Sequence, residues 1–229
     1  MAPRAIISYD DTPGDHDALM LGRILADAGA WLTLAYVRHC ISDDGSQEEL
    51  EEHQAETLLA RGADRLADLD VDTQVVVSPS TPEGLRRLIE EQRADIVVFG
   101  SDYRTPAGHV DPGTSARRLL EGGPAAVAIA PANYRSKRNP PIRRIGVLDG
   151  DPAARRTANE IGDRLAALVV SVPAPRLDLL VVSSRPEAPE GRVMISARAE
   201  NVIEESIAPV LVVPRGTLIR FGLAEPLAA

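Results

Sequence analysis

Short apolar runs alternate along this chain with longer stretches whose apolar residues recur every three or four positions. Ala5–Ser8 is a first run, closed by Asp10-Asp11-Thr12-Pro13-Gly14. Thr or Asp before a Pro is a helix-start signal, and Ala18, Leu19, Leu21, Ile24, Leu25 and Ala28 then follow with helical period. Leu32–Val37 is a second strand. A long polar helix runs from Ser46 or Gln47 to about Asp68, its apolar face set by Leu50, Leu58, Leu59 and Leu66. Val71–Val77 is a third strand, and Thr81-Pro82-Glu83 opens a helix carrying Leu85, Leu88 and Ile89. Ile96–Phe99, a Gly/Pro-rich loop to Gly113, a short helix over Thr114–Glu121 and a fifth strand over Ala125–Ala130 complete the series. Near-continuous apolar strands separated by amphipathic helices predict an α/β fold: a doubly wound, parallel five-stranded sheet covered on both faces.

The polar, Pro-rich stretch 132–142 reads as a linker, after which the pattern restarts. Ile145–Pro152 echoes Ile6–Pro13. A second echo is ungapped: Gly100, Gly113 and Pro131 match Ser183, Ser196 and Pro214 at spacings of 13 and 18 in both stretches. Asp10 to Gly100 spans 90 positions but Asp149 to Ser183 only 34, so the second copy is short by 56 residues. It has room for one weak strand, Val169–Val172, where the first has two strands and two helices. The organisation expected is a complete domain (1–131), the linker, a truncated second copy (143–214) and a tail (215–229) with scattered apolar residues.

Composition narrows the functional classes. Apolar residues are 44% and charged residues 26%, ordinary for a globular chain, and the net charge of −9 argues against a nucleic-acid partner. The sole lysine, Lys137, stands in Tyr-Arg-Ser-Lys, far from any glycine loop, so no Walker lysine exists. One cysteine, Cys40, forms no internal disulfide, and no apolar run reaches membrane-spanning length. The expectation is a cytoplasmic protein.

The chemistry-bearing segment is Gly100–Ser115. It leaves the carboxyl end of a strand and enters a helix, the edge where open α/β sheets bind ligands. Glycines allow close backbone approach, and amides with small hydroxyls suit phosphate oxygens. The acidic set Asp10, Asp11, Asp15, His16 and Asp17 reads first as a helix N-terminus rich in acids, with a metal cluster as the alternative. His39-Cys40 reads as a plain strand end, and the acidic run Glu48–Glu52 as a solvated helix face. The basic residues Arg135, Lys137, Arg138, Arg143 and Arg144 read as part of a hinge.

These residues resemble the universal stress proteins, whose fourth strand is followed by Gly-x2-Gly-x9-Gly-Ser/Thr. Here the run is Gly100-x2-Tyr103-x9-Gly113-Thr114. The family's Asp-Gly-Ser-Pro reads Asp10-Asp11-Thr12-Pro13 here, and Asp149-Gly150-Asp151-Pro152 in the second copy. Its closing run is matched by Pro209-Val-Leu-Val-Val-Pro214. The resemblance implies strand order 3-2-1-4-5, pairing through the closing strands as an internal pseudo-dimer or a homodimer, and a non-enzymatic regulatory role. It also implies ATP, with Mg²⁺, held by Asp10, Thr12, the backbone of Val37, Gly100, Tyr103, Gly113, Thr114 and Ser115. Tyr103 departs from the family's glycine, so its ring either closes the phosphate path or stacks on the base. Asp102 and Asp111 add negative charge that Arg104, Arg117 and Arg118 could offset. In the second copy the glycines become Ser183, Pro186 and Ser196. The alternative is an interaction module of the same family that binds no nucleotide.

Overall fold

The computed structural model describes residues 2–39, 45–137, 140–148 and 150–222, with side chains from residue 50 onward in the second of these stretches. Cys40, Arg138 and Asp149 lie outside the described residues, as do the side chains of Glu48 and Glu49. The elements run β1 (Arg4–Ser8), α1 (Pro13–Asp27), β2 (Trp31–Arg38), α2 (Gly45–Asp64), β3 (Val71–Val77), α3 (Thr81–Gln92) and β4 (Ile96–Gly100). They continue through α4 (Thr114–Leu120), β5 (Glu121–Gly123), β6 (Ala126–Ala130), a 3₁₀ turn (Tyr134–Lys137), β7 (Arg144–Leu148), α5 (Pro152–Leu165) and β8 (Leu168–Ser171). Last come β9 (Leu179–Ser183), β10 (Val193–Met194), α6 (Ala197–Glu204) and β11 (Val210–Val213).

One nine-stranded sheet carries the molecule, in the order β3-β2-β1-β4-β6-β11-β9-β7-β8. The first five strands are all parallel and give the expected order 3-2-1-4-5. The last four are also parallel among themselves. The two sets meet at β6 and β11, which pair antiparallel with Ala128 opposite Leu211. A second antiparallel ribbon, β5 with β10, also links the halves, and neither of its strands is legible in the pattern of apolar residues.

The loops that follow β4 and β9 repeat one another's hydrogen bonds at an offset of 83 residues. Ser101 Oγ donates to Ala130 O at 2.8 Å, and Ser184 Oγ to Val213 O at 2.8 Å. Gly108 N donates to Ala132 O and Gly191 N to Arg215 O, with both glycines at positive φ. Ala128 and Leu211, themselves 83 apart, face each other, so a local pseudo-twofold passes between them. The N-terminal echo is less simple. Ala5 lies level with Ile96 and Ile145 with Leu179, so these strands match at an offset of 140, while the helix caps Thr12 and Asp151 match at 139. Ile145 therefore answers to Ala5, not Ile6, because the connection from strand to helix is one residue shorter in the second half.

Two apolar layers flank the sheet. Helices α1, α2 and α5 cover one face, where Ile7, Leu25, Leu34, Ile145, Ile161 and Leu211 are buried. Helices α3, α4 and α6 cover the other, with Leu85, Val97, Leu119, Val182 and Ile203. Leu50 does not join the face of α2 that the sequence suggests and is 57% exposed. It stands nine positions from buried Leu59, half a helical circumference away, and the inward stripe is Ala55 and Leu59. The described part of the tail is packed: Ile219 and Phe221 are fully buried, and Thr157 Oγ1 accepts from Ile219 N.

The start of the connection between the halves is held in the same way. Asp17, buried in α1, accepts from the backbone amides of Asn133 (2.8 Å) and Arg135 (2.7 Å) and from the Arg135 guanidinium. A buried carboxylate with this many donors is a strong clamp. Residues 132–137 are therefore packed against α1, where the sequence suggests a hinge.

Candidate functional site

The carboxyl ends of β1, β2 and β4 meet the N-terminus of α1. The connection after β1 is organised by helix capping. Thr12 is the N-cap of α1, its hydroxyl accepting from Asp15 N, while Asp15 Oδ2 accepts from Thr12 N and Asp10 N. This capping box satisfies amides that the first helical turn would otherwise leave without partners. Asp11 takes a left-handed backbone (φ 58) and accepts from Tyr9 Oη at 2.8 Å, with His16 Nε2 at 2.9 Å. Those two bonds hold the Asp11 carboxyl below its usual range, while burial and the Asp11 contact push the Tyr9 phenol up to about 12. Asp15 and Asp17 are likewise spoken for, one by the cap and the other by the clamp. Among the described residues no cluster of three or more His, Cys, Asp or Glu could hold a metal ion.

Asp10 differs from its neighbours. It keeps exposed surface, yet enough protein surrounds its carboxyl to desolvate it. That desolvation, with the charge of Asp15, pushes it up to about 6, opposed by nearby His39. His39 bonds Thr81 at the start of α3, which brings the end of β2 alongside. Tyr9 N donates to Ala35 O as the last rung between β1 and β2. Arg38 O accepts from Ser78 N on the β3 side, so by strand alternation Val37 turns its amide and carbonyl toward β1, past the end of that ladder. The Val37 side chain itself packs under Gly84 of α3.

The glycines of the loop do different jobs. A Cβ on Gly100 would stand within van der Waals overlap of the Gly14 backbone, 2.0 Å from its carbonyl oxygen. Gly100 is thus required by the approach of α1 to β4. Gly113, the N-cap of α4, has φ −64 and no atom within 4 Å of a Cβ placed there. Neither backbone nor packing demands glycine at 113; its absence of side chain keeps space open above the loop.

Tyr103 is 83% exposed, with Arg104 over its ring at 4.9 Å, so it neither closes the edge nor reaches across it. Asp102 N donates to Asp111 O and Ser101 bridges to Pro112, so the loop closes on itself, with Tyr103 in the turn that Thr105 N closes onto Asp102 O. Ser115 follows Thr114 in the first turn of α4. Thr114 lines the groove between α3 and α4 instead of the strand ends, together with Glu83, Arg86 and Arg118. Of the three cations, Arg117 offsets Asp111 directly, pairing with it and with Glu200 across the join, while Arg118 pairs with Glu121 and Arg104 lies over the Tyr103 ring. Asp10, Thr12, Val37 and Gly100 therefore gather at one edge, with Gly113, Thr114 and Ser115 at the far end of the loop. His39 and Asp15 belong to the same edge, and charge patterning gives them away only as a helix start and a strand end.

No family model and no curated protein matches this chain. Its fold is nevertheless that of solved universal stress proteins. A universal stress protein from Archaeoglobus fulgidus DSM 4304 superposes with a TM-score of 0.70 at 13% identity, over 93% of this chain and 98% of that one. A functionally unknown protein from Pseudomonas aeruginosa PAO1 gives 0.60 at 12% identity, over 93% of both chains. Likenesses that span 93% of the chain extend across both halves of the sheet. No helix among the described residues is long and apolar enough to cross a membrane.

Proposed function

We propose that this chain is a tandem universal stress protein whose first half binds an adenine nucleotide at the carboxyl edge of β1, β2 and β4. Binding, not turnover, is its role. The observation that carries this reading is the Val37 backbone, turned past the last β1–β2 rung beside Asp10. An N–H donor next to a C=O acceptor complements adenine, which presents N1 as acceptor and its amino group as donor; guanine presents the reverse. Asp10 accepts from the sugar hydroxyls, which favours its ionised form. The open space at Gly113 admits the phosphates, and Mg²⁺ arrives on them, since the neighbouring carboxylates serve the cap and the clamp. The two halves would be two copies joined as a pseudo-dimer through β6 and β11, the second having lost its third strand.

A second reading is an interaction module without nucleotide. It is favoured by the internal partners of Asp11, Thr12 and Arg117, which leave few side chains for phosphate. Thermal melting with and without Mg·ATP separates the two. At 100 times its dissociation constant a ligand adds about 2.7 kcal/mol, a rise of several degrees. No rise, with wild-type folding intact, selects the second reading.

A further inference from the structure

In the first half, the sheet face carrying Val97 and Val127 is covered by two helices, α3 and α4. In the second half, among the described residues, the same face carries only α6. The chain there passes from β8 to β9 in seven residues, 172–178, whereas 57 residues separate β2 from β4. The position that α3 fills has no counterpart. What stands in its place is an open cavity of about 530 Å³. Its floor is Leu148, Val172, Leu180 and Ala208, and Val202 of α6 forms a wall. Leu177 closes the inner end by turning onto Gly146, where a Cβ would lie 2.4 Å from Leu177 Cδ1.

The offset of 83 shows what such a space accepts. Leu180, Val202 and Arg176 answer to Val97, Leu119 and Arg93, and the last pair shares a left-handed backbone at φ 53 and 52. Against Val97 and Leu119 the first half lays Leu85, Leu88 and Ile89 of α3, an i, i+3, i+4 stripe. Among the described residues the second half supplies no such stripe. The rim of the cavity carries exposed Arg176 and Arg198 against Glu205, a positive mouth on a chain of net charge −9.

We propose that this groove docks an amphipathic, acidic helix of another protein, seated where α3 sits in the first half. Its apolar stripe would lie on Leu177, Leu180 and Val202, and its carboxylates against Arg176 and Arg198. This inference rests on the sheet and its helices, not on the nucleotide reading. The direct probe is a fluorescent peptide of residues 80–94 carrying Arg86→Glu and Arg87→Glu, titrated with the full chain. Saturable binding is expected. Val202→Asp should abolish it, and Arg198→Glu, an exposed change that leaves folding intact, should weaken it at least tenfold. Three results would overturn the proposal: no saturable binding to the folded chain; binding indifferent to both variants; or a chain that sediments as a dimer until Val202→Asp makes it a monomer. The last would make a second copy the occupant. Binding of decanoate without binding of the peptide would likewise overturn it, as a small-amphiphile site.

Discussion

Gly100 and Gly113 belong to the same glycine pattern, yet the structure gives them opposite sensitivities. Gly100→Ala places a Cβ 2.0 Å from Gly14 O and 2.8 Å from its Cα. The obstacle is backbone, so no side chain can swing away. Either β4 or the first turn of α1 must move by about an ångström, and that turn is fixed by the Thr12–Asp15 box and by Asp17. Overpacking of this kind costs about 1–3 kcal/mol, and disturbing the cap adds about 1 kcal/mol, so we expect a loss of about 3 kcal/mol. For a chain of this size that lowers Tm by about 6–12 °C. Gly113→Ala meets nothing, at a φ any residue adopts. Its gain of about 0.4–1 kcal/mol in the unfolded state offsets a similar loss at the N-cap, leaving stability within about 0.5 kcal/mol. Urea unfolding followed by circular dichroism measures both variants. A Gly100→Ala chain as stable as Gly113→Ala would refute the assignment of Gly100 to helix packing.

Asp17→Ala removes the acceptor for two backbone amides and the Arg135 guanidinium. Breaking a buried pair costs about 3–5 kcal/mol; with Arg135 partly solvated, about 3 kcal/mol is expected, and Arg135→Ala should cost less because the amides still serve the carboxylate. Equal losses in the two variants by urea unfolding would count against the clamp. Asp10 is pushed up to about 6 from 3.8. The folded state therefore holds this proton more tightly than the unfolded state, so the contribution of Asp10 to stability is full below about pH 4 and is lost as pH rises through about 6. Asp10→Asn should raise Tm at pH 7.5 and leave it unchanged at pH 4. A rise of the same size at both values would exclude this cause.

Much of the first half was legible because buried parallel strands and amphipathic helices write distinct periods. The ungapped echo in spacing reappears in the hydrogen bonds of the second loop, since matched loop lengths preserve backbone bonding. Other features carried no local signal. The β5–β10 ribbon has two and three residues, too few for any period. Leu50 misled because a leucine count ignores angular position on a helix. The burial of Ile219 and Phe221 depends on a space between α5 and α1 that exists only after folding. At the candidate site, residue type singled out Asp10 and Gly113 and marked Thr12 as a helix start. It could not reveal that Gly100 serves helix packing or that Tyr103 faces solvent, because each depends on how α1 and the loop settle on the sheet.

The measurement closest to the central claim is an amide-proton NMR titration of ¹⁵N-labelled chain with Mg·ATP. The account predicts saturable shifts at Val37 and over Gly100–Ser115, lost in Asp10→Ala while the fold persists. Shifts absent throughout, or confined to the second-half edge around Gly150, Ser184 and Glu190, would contradict it.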